Sequence, residues 1–428
     1  MTGLTMLGET PRDVVASSRN PLTLVVLGDS LTEQGGMNNT LPGGYQANGT
    51  NPHPMNTGYW AWANVLLGWK FHVLRNGGIY DQTTTQILAR LERDVISLRP
   101  GWCFLLAGTN DVGHGYLEST TKPNLRRILD RLDAAGIRVA WLTIPPRIGA
   151  SYSGTQLADT VALNEWIRTE ARRRSNVVLC DIWPVLTGNT ASTASSQYLS
   201  SLYGHNSTSD GIHMSGCGAY AAGAVVAANV GSQITGSDAA TDIGIPATGG
   251  LNLLADPRFA NGGSGSAPTS WTMTNASGVT YAKAARTDAV GGTWQQIIIP
   301  GGSGADVTLQ GNSTSDGSGR NAAQLVGKQV VATIEFNISN LDQSAADGSQ
   351  AFYMDLAFYN GTAFTHNYVF QNTSAPNEAR AGRFVSAPVT VPAGTITISL
   401  FVHMVGGGTY GFDRAGLYCT TESGLLLP

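Results

Sequence analysis

The sequence is short of charge and of cysteine and has no long apolar run, and each shortage excludes a class of protein. Charged residues make up 13% of the 428 residues, and the formal net charge is -4. We find no basic stripe that would predict nucleic acid binding and no acidic tail that would predict a charged partner. No apolar run reaches the roughly 18 residues that predict a transmembrane helix, so we expect no membrane span.

The cysteines are too widely spaced for a metal or redox motif. Because no C-x-x-C pair occurs, neither a zinc ribbon nor a thioredoxin-like redox site is expected. Cys103 and Cys180 lie in apolar, strand-like runs, where buried free thiols are ordinary. We therefore expect no disulfide framework, although the chain also contains Cys217 and Cys419.

The amino terminus lacks the pattern of a secretory signal peptide. It contains Glu9 and Asp13 and shows no cationic start followed by an apolar stretch. We expect no signal peptide in the chain as given, which leaves earlier removal of a leader and another export route open. Gly, Ser, Thr and Asn are abundant, as in many extracellular β-rich proteins. This composition, the missing signal peptide and the β-rich second half together predict an extracellular, cell-surface or virion-associated protein.

Short apolar runs alternate with helical patterns through residues 21–232, after a tail at 1–20. Amphipathic spacing predicts helices between these runs, one ended by Pro100 and another with Gly136 just past its C-terminus. Strands separated by helices predict a parallel sheet covered by helices on both faces. The predicted strands are Leu22 to Leu27, Phe71 to Leu74, Trp102 to Ala107, Ile137 to Ile144 and Val177 to Cys180.

The hydrophobic period changes in the second half of the chain. Residues 233–250 are mostly small and polar without periodicity, which is typical of a linker. Beyond them, residues 251–428 contain runs in which apolar and polar residues alternate, separated by glycine-rich turns. This pattern predicts an all-β sandwich of jelly-roll type. The clearest runs start at Val330, Phe352 and Ile396. A G-x-G-x-x-G segment between two runs is interpreted as a hairpin turn; its glycines are Gly406, Gly408 and Gly411.

Four polar segments stand out in the first half of the chain. Three of them follow predicted strands, and ligands gather outside the carboxyl ends of the strands in a parallel sheet. We therefore expect these segments to meet at one edge of the sheet. The four are Gly28-Asp29-Ser30-Leu31, Asn76-Gly77-Gly78, Gly108-Thr109-Asn110-Asp111 and Asp210-Gly211-Ile212-His213.

The residue types in these segments fit nucleophilic catalysis. Ser30 is a candidate nucleophile, although its segment alone favours the simpler interpretation that Asp29 and Ser30 only cap a helix. Asp210 and His213 are close enough for the carboxylate to hold one imidazole nitrogen while the other faces a serine. The alternative makes His213 a surface residue and Asp210 a cap. Asn110 could donate to an oxyanion or only form a turn.

Together, these segments resemble the SGNH, or GDSL, hydrolase family over about residues 20–230. The resemblance implies a flavodoxin-like three-layer α/β/α fold with a nucleophile at Ser30. It also implies that Asp210 and His213 are the acid and base of a catalytic triad. Asn110 and the backbone N–H of Ser30 are implied to be donors to the oxyanion.

The second block of the family pattern is altered in this chain. The usual N-x-G-x-x-G places a further oxyanion donor on its last glycine, where this sequence has Asp81. Since a backbone N–H does not require glycine, the donor could remain at Asp81 or shift to Gly78. A carboxylate beside the developing negative charge would be unfavourable unless it points away.

Several aromatic residues could shape a substrate pocket. Residues 37–62 form a long insertion whose end carries Tyr59, Trp60 and Trp62. These rings either stack on sugars or start a helix that packs into the core, and we favour the core for two of them. Arg147 could bind a carboxylate, but we favour an interpretation in which it faces solvent. Further candidates for the pocket wall are Tyr116, Pro145 and Pro146.

The two ends of the β-rich half loosely resemble those of jelly-roll carbohydrate-binding modules. The resembling segments are residues 252–259 and 411–418. Aromatic side chains of this half could offer sugar-stacking faces, although we expect most of them to fill the core. They are Trp271, Trp294, Tyr353 and Tyr359.

The combined prediction is a serine esterase that removes acyl groups, acetyl above all, from an acylated carbohydrate or polysaccharide. It would act through an acyl-enzyme, with no metal and no organic cofactor. One alternative is a lipase or thioesterase acting on longer acyl chains. Another is a glycan-binding adhesion or phage tail protein with an esterase-like domain. The sequence leaves the oligomeric state open.

Overall fold

The computed structural model describes residues 20–34, 36, 57–115, 117–147, 154–187, 211–234, 252–288, 291–314, 321–340, 351–369 and 380–419. Most of the expected tail, insertion and linker therefore lie outside the described residues, as do Asp210 and Tyr116.

A five-stranded parallel sheet forms the first half of the protein, in the order β2-β1-β3-β4-β5. This is the flavodoxin-like order of a doubly wound sheet, so the predicted fold class is confirmed. The second strand is longer than predicted and includes Asn76 and Gly78, which the sequence pattern places after it. The strands are β1 (Thr23–Gly28), β2 (His72–Gly78), β3 (Trp102–Leu106), β4 (Arg138–Leu142) and β5 (Val177–Cys180).

Helices cover both faces of this sheet. The chain turns back between β1, β2 and β3, so right-handed crossovers place the helices that follow β1 and β2 on opposite faces. The α-helices are α1 (Ser30–Glu33), α2 (Tyr59–Leu66), α3 (Thr84–Asp94), α4 (Thr109–His114), α5 (Lys122–Ala134), α6 (Gly154–Ala171), α7 (Trp183–Thr187) and α8 (Gly216–Gly231). Shorter turns are the 3₁₀ segments Ile96–Leu98 and Ala322–Leu325 and the π-helical segment Leu117–Thr121.

Local sequence explains where several helices begin and end. Thr83 and Gln86 form a capping box at the start of α3. Gly136, with a φ of 68°, follows the end of α5 as predicted. The aromatic residues of α2 are all buried, so the third ring also belongs to the core; they are Tyr59, Trp60 and Trp62.

Two antiparallel sheets form the second half and pack face to face as an all-β sandwich. One has the order β13-β10-β16-β8-β7, with β14 on β10, and the other has the order β12-β11-β15-β9-β6. Phe352 of one sheet contacts Phe336 and Phe412 of the other in the core. The strands are β6 (Trp271–Thr274), β7 (Thr280–Ala285), β8 (Thr293–Ile299), β9 (Asp306–Asn312), β10 (Gln329–Ser339), β11 (Ala351–Tyr359), β12 (Phe364–Val369), β13 (Arg380–Val385), β14 (Val389–Thr390), β15 (Thr397–Val405) and β16 (Gly408–Cys419).

The alternating pattern predicts most of this core. The apolar positions of β10, β11 and β15 are buried, but Ile396 precedes its strand and is 56% exposed. The hairpin expected at Gly406 is wrong, because β15 pairs with β11 and β9 whereas β16 pairs with β10 and β8. Gly406, with a φ of 108°, therefore lies in a tight crossing from one sheet to the other.

In the described ranges, no helix is both long enough and apolar enough to cross a bilayer.

Candidate active site

The carboxyl ends of β1, β2 and β3 lie side by side at one edge of the parallel sheet. Gly28, the last residue of β1, pairs with Gly78 of β2 on one side and with Leu106 of β3 on the other. The polar residues at these strand ends are therefore neighbours in space, although they are far apart in sequence.

Ser30 and His213 are in hydrogen-bonding contact at this edge. Asp29 caps α1 by accepting a hydrogen bond from the backbone N–H of Leu31 at 3.0 Å, which leaves Ser30 as the first residue of the helix. His213 lies just before α8, whose N-cap is Ser215. Its Nε2 is 3.0 Å from the Oγ of Ser30. The hydroxyl and the imidazole thus have the geometry of a nucleophile and its base.

Helix α1 lies so close to the strands that two of them must end in glycine. A β-carbon built on Gly28 would be 2.3 Å from Oγ1 of Thr32 in the helix and equally close to the carbonyl oxygen of Leu106 in β3, and one on Gly78 would be 2.1 Å from the backbone nitrogen of Glu33. No side chain fits at these distances without a shift of the backbone. The two glycines therefore let the short helix that begins with Ser30 rest directly on the sheet.

Asn76 is a buried support of this helix. Its side-chain amide donates to three carbonyl oxygens, those of Thr32 at 3.2 Å, Glu33 at 3.2 Å and Gly36 at 2.9 Å. Its Oδ1 accepts the backbone N–H of Gly78 at 2.9 Å. Carbonyl groups at a helix end lack partners within the helix, so Asn76 satisfies them. Because the N–H of Gly78 is already engaged, Gly78 is the poorer of the two candidates for the further oxyanion donor.

Asp81 has the backbone conformation that a glycine would favour. Its φ is 58°, in the left-handed region that aspartate and asparagine enter more readily than most other residues. This explains how an aspartate can stand where the family pattern has glycine. The residue is exposed, and in the described part of the chain no acceptor pairs with its backbone N–H.

Asn110 has partners on both sides of its amide. Its Nδ2 donates to the carbonyl oxygen of Gln82 at 3.1 Å, and its Oδ1 accepts from Nη2 of Arg147 at 2.6 Å. The Nε of Arg147 also donates to Oγ1 of Thr109 at 2.9 Å. Our interpretation of Arg147 as a solvent-facing residue is therefore wrong. No local motif marks the contact, since Arg147 and Asn110 are brought together only by the order of β3 and β4.

Asp29 is an unusual buried acid beside Ser30. Its side chain is fully buried, and its Oδ2 has no hydrogen-bond partner among the described residues. Burial raises the pKa of this carboxyl to about 7, against the opposing effects of the hydrogen bond from Leu31 and the charges of Arg147 and Arg90. The residue is thus a cap whose negative charge is poorly solvated.

Arg90 is a second arginine that the sequence analysis does not single out. From α3 it donates to the carbonyl oxygen of Gly28 at 2.8 Å and to Oε1 of Gln82 at 2.6 Å, and it pairs with Asp94 at 3.0 Å. It therefore connects the end of β1 to the segment that carries Asp81. Only its position four residues before Asp94 on a helix could have indicated the ion pair.

Asp111 has a structural role next to Asn110. Its buried carboxylate accepts from the backbone N–H of Thr84 at 2.8 Å and from the hydroxyls of Thr84 and Thr121. It thereby gives a partner to a backbone N–H in the first turn of α3, which has none within the helix. Among the residues that the structure describes, no group of three or more His, Cys, Asp or Glu side chains is placed to hold a metal ion.

Comparison with known proteins gives a match over the first half of the chain. Residues 26–218 match the profile described as the GDSL-like Lipase/Acylhydrolase family. Among curated proteins, no sequence matches the chain.

Solved structures of similar proteins cover about the same part of the chain. A GDSL-like lipase from Bacteroides thetaiotaomicron VPI-5482 is 19% identical, covering 52% of this chain and 94% of its own, with a TM-score of 0.35. The acetyl xylan esterase AlAXEase is 21% identical, covering 50% and 100%, with a TM-score of 0.36. A variant of an acetyl xylan esterase from Geobacillus stearothermophilus is 20% identical, covering 51% and 99%, with a TM-score of 0.36. By the profile match, residues 26–218 are similar to the GDSL-like lipase/acylhydrolase family.

Proposed function

We propose that this protein is a carboxylic ester hydrolase, namely a serine esterase that removes acetyl groups from carbohydrate substrates. The observation that carries the proposal is the 3.0 Å contact between Ser30 Oγ and His213 Nε2 at the carboxyl edge of the sheet. An isolated serine hydroxyl is a weak nucleophile, and a base at this distance is what activates it.

In the proposed reaction, His213 takes the proton of Ser30 while Oγ attacks the ester carbonyl. The tetrahedral intermediate collapses when His213 returns the proton to the leaving alcohol, which leaves an acetyl-serine. Water, deprotonated by His213, then attacks the acetyl carbonyl; the bond to Ser30 Oγ breaks, His213 returns the proton to Oγ, and acetate is released. Asp210 is assigned the role of orienting His213 by the family resemblance; it lies outside the described residues.

Three donors are proposed for the oxyanion. The first is the backbone N–H of Ser30, which begins α1 and has no partner within the helix. The second is the Nδ2 of Asn110, which has one proton left after its bond to Gln82. The third is the backbone N–H of Asp81, favoured over that of Gly78 because the latter is bonded to Asn76.

Preference for a short acyl group is supported by the scarcity of exposed apolar surface. Among the described residues, the large apolar side chains that are exposed are Tyr80, Val161, Val326 and Ile396. Of these four, only Tyr80 lies just after a strand, β2, whose carboxyl end belongs to the site. A long acyl chain would need a continuous apolar wall, whereas an acetyl group needs none.

A carbohydrate substrate is supported by the outer face of the sheet β12-β11-β15-β9. Residues on this face alternate with the core positions of β11 and pair across strands, Tyr353 with His403 and Asp355 with Tyr368. The Tyr353 and His403 rings stack at 4.3 Å. The face mixes flat rings with polar groups, so it can contact both the C–H face and the hydroxyls of a sugar.

Two aspartates lie among the polar groups of this face and bond its histidines. Asp355 bonds the Nδ1 of His366, and Asp306 bonds the Nδ1 of His403 at 2.9 Å. Strands β9, β11, β12 and β15 contain no lysine or arginine, which disfavours an anionic ligand such as nucleic acid. Two other rings are unsuited to stacking, since Trp271 packs on Phe259 and Trp294 is covered by Arg286.

The first test is hydrolysis of a chromogenic acetate and of acetylated polysaccharides by the full chain. Ser30→Ala should abolish turnover without changing the circular dichroism spectrum. Ser97→Ala is a matched control, because Ser97 is exposed just after α3, at the opposite edge of the sheet. Retained turnover in Ser30→Ala would refute the assignment. Faster turnover of longer acyl esters would favour a lipase or thioesterase instead.

The second test concerns the sandwich. In a Ser30→Ala background, affinity electrophoresis in polysaccharide gels should show that Tyr353→Ala weakens binding by about threefold to tenfold. Tyr281→Ala, on the other sheet, is the matched control and should bind normally. Equal binding by both variants would remove this face from the proposal. Glycan binding without hydrolysis in the unaltered chain would favour an adhesion or phage tail role.

A further inference from the structure

The guanidinium of Arg147 lies along the helix that carries Asn110. It bonds Oγ1 of Thr109 and Oδ1 of Asn110, and a β-carbon on Gly113 would lie 3.5 Å from its Nη1. The group therefore spans one side of α4, from its first residue to its fifth.

The chemistry of its two neighbours leaves only one orientation for the Asn110 amide. The carbonyl of Gln82 can only accept a hydrogen bond, and the guanidinium of Arg147 can only donate. If the amide of Asn110 were flipped, a donor would face a donor and an acceptor would face an acceptor. The nitrogen must therefore lie on the Gln82 side, with its second proton available to a ligand.

Arg147 is itself held by a well-anchored segment. It follows Pro145 and Pro146, whose ring-locked φ angles restrict the backbone. Just before them, Ile144 is tied at both backbone groups to the side chain of Asn164, its N–H at 2.8 Å and its C=O at 3.0 Å. The side chain of Arg147 therefore extends to α4 from a backbone segment that is already fixed before substrate binds.

We infer that Arg147 is a positioning residue of the oxyanion site. It fixes the Asn110 amide in the orientation that presents N–H to the substrate, and its charge polarises that amide so that the N–H becomes a stronger donor. Arg147 acts through Asn110 and need not touch the substrate itself. This inference rests on the proposed function, because it assigns a role within the same site.

A double-mutant cycle tests the inference with kcat and KM on a soluble acetyl ester. Asn110→Ala should lower kcat by about 10² to 10³. Arg147→Met should lower kcat by about 10- to 100-fold with KM nearly unchanged, because the misaligned donor is used only in the transition state. In the Asn110→Ala background, Arg147→Met should have almost no further effect on kcat.

Three further measurements separate positioning from other roles. Arg147→Lys keeps the charge and one donor, so it should recover part of the lost kcat if folding is intact. Arg168→Met, which breaks a comparable pair with Asp181, should leave kcat unchanged. Circular dichroism of each variant checks the fold.

The outcomes distinguish this inference from the proposed function. Multiplicative losses in the double variant would overturn the inference, since Arg147 would then act independently of Asn110. A raised KM with unchanged kcat would overturn it as well, because it indicates direct binding of substrate. In both cases hydrolysis by the unaltered chain, lost in Ser30→Ala, would leave the proposed function standing.

Discussion

The parallel sheet and the sandwich both bury carboxylates, but they surround them in opposite ways. Asp29, beside Ser30, has one oxygen without a partner among the described residues, and burial raises its pKa to about 7. Glu335, in the sandwich, faces the guanidinium groups of Arg286, Arg383 and Arg414. Burial alone would raise the pKa of Glu335, yet the charges of Arg383 and Arg414 lower it overall.

The contrast separates charges that hold a structure together from a charge that is tolerated next to a site. In the sandwich Glu335 is matched by several donors, and Asp413 is likewise bonded by Arg258 and Arg286. At the edge of the parallel sheet, the polar groups are arranged around Ser30 and not around Asp29. Functional sites often hold unsatisfied polar groups, so the unpaired oxygen of Asp29 is compatible with the candidate active site, although the sandwich also buries unpaired atoms such as Oδ1 of Asp306.

The largest expected effect comes from removing the charge of Asp29. The unfolded chain loses this proton near pH 3.8, whereas the folded protein keeps it up to about pH 7. Stability is therefore lost as the pH rises between these values, on the order of 4 kcal/mol in total. Asp29→Asn keeps an oxygen for the Leu31 N–H but has no charge, so its stability relative to wild type should rise by that amount between these two pH values.

Urea unfolding at several pH values, read by hydrogen exchange in β1 and β3, measures this effect. Peptides from β10 and β16 in the same experiment serve as an internal control and should show no such change. Parallel stability curves for the wild type and the Asp29→Asn variant across the pH range would mean that the charge of Asp29 is compensated after all.

A smaller loss is expected when the matched acid of the sandwich is neutralised. Glu335→Gln leaves the guanidinium groups of Arg286, Arg383 and Arg414 without their shared charge, although the amide oxygen still accepts one bond. We expect the sandwich to lose about 3 kcal/mol, at the low end for breaking a buried ion pair. Urea unfolding followed by exchange in β10 and β16 measures it. A gain in stability would show that the network costs more than it contributes.

Asp111 tests whether the edge of the parallel sheet can also hold a fully satisfied carboxylate. Asp111→Asn replaces one acceptor by a donor that faces the donors of Thr84 and Thr121. We expect a loss of about 2 kcal/mol, detected as faster exchange in the first turn of α3. Unchanged exchange there would mean that the cap contributes little.

Sequence predicts the fold where local patterns carry the information. Buried parallel strands give apolar runs and sandwich strands give alternation, so both halves can be recognised. The pattern cannot show which sheet a strand joins, and for that reason it predicts a hairpin where the chain crosses between sheets at Gly406. The sequence pattern also does not predict the structural role of Asn76. Its amide supports a helix more than 40 positions away in sequence, at Thr32 and Glu33.

The sequence predicts only those residues of the site that belong to short motifs. Ser30 and His213 are singled out by short segments, and the structure places them in contact. The contact between Arg147 and Asn110 spans 37 positions and depends on the order of the strands, so no periodicity marks it. Whether the backbone N–H of Gly78 is available to an oxyanion also depends on Asn76, whose side chain accepts that N–H. The motif does not specify this bond.

The smallest expected effect concerns an ion pair that is exposed. It shows whether the stability lost on breaking a pair depends on its burial or only on the pairing. Glu92 and Arg131 form an ion pair at 2.8 Å on the helices α3 and α5, but their side chains are 62% and 42% exposed. Water screens such a pair, so Glu92→Gln should change stability by less than about 0.5 kcal/mol. The same urea and exchange measurement applies to α3. If Glu92→Gln lost as much stability as Glu335→Gln, breaking any ion pair would cost that much. Burial would then not be what distinguishes the network of the sandwich.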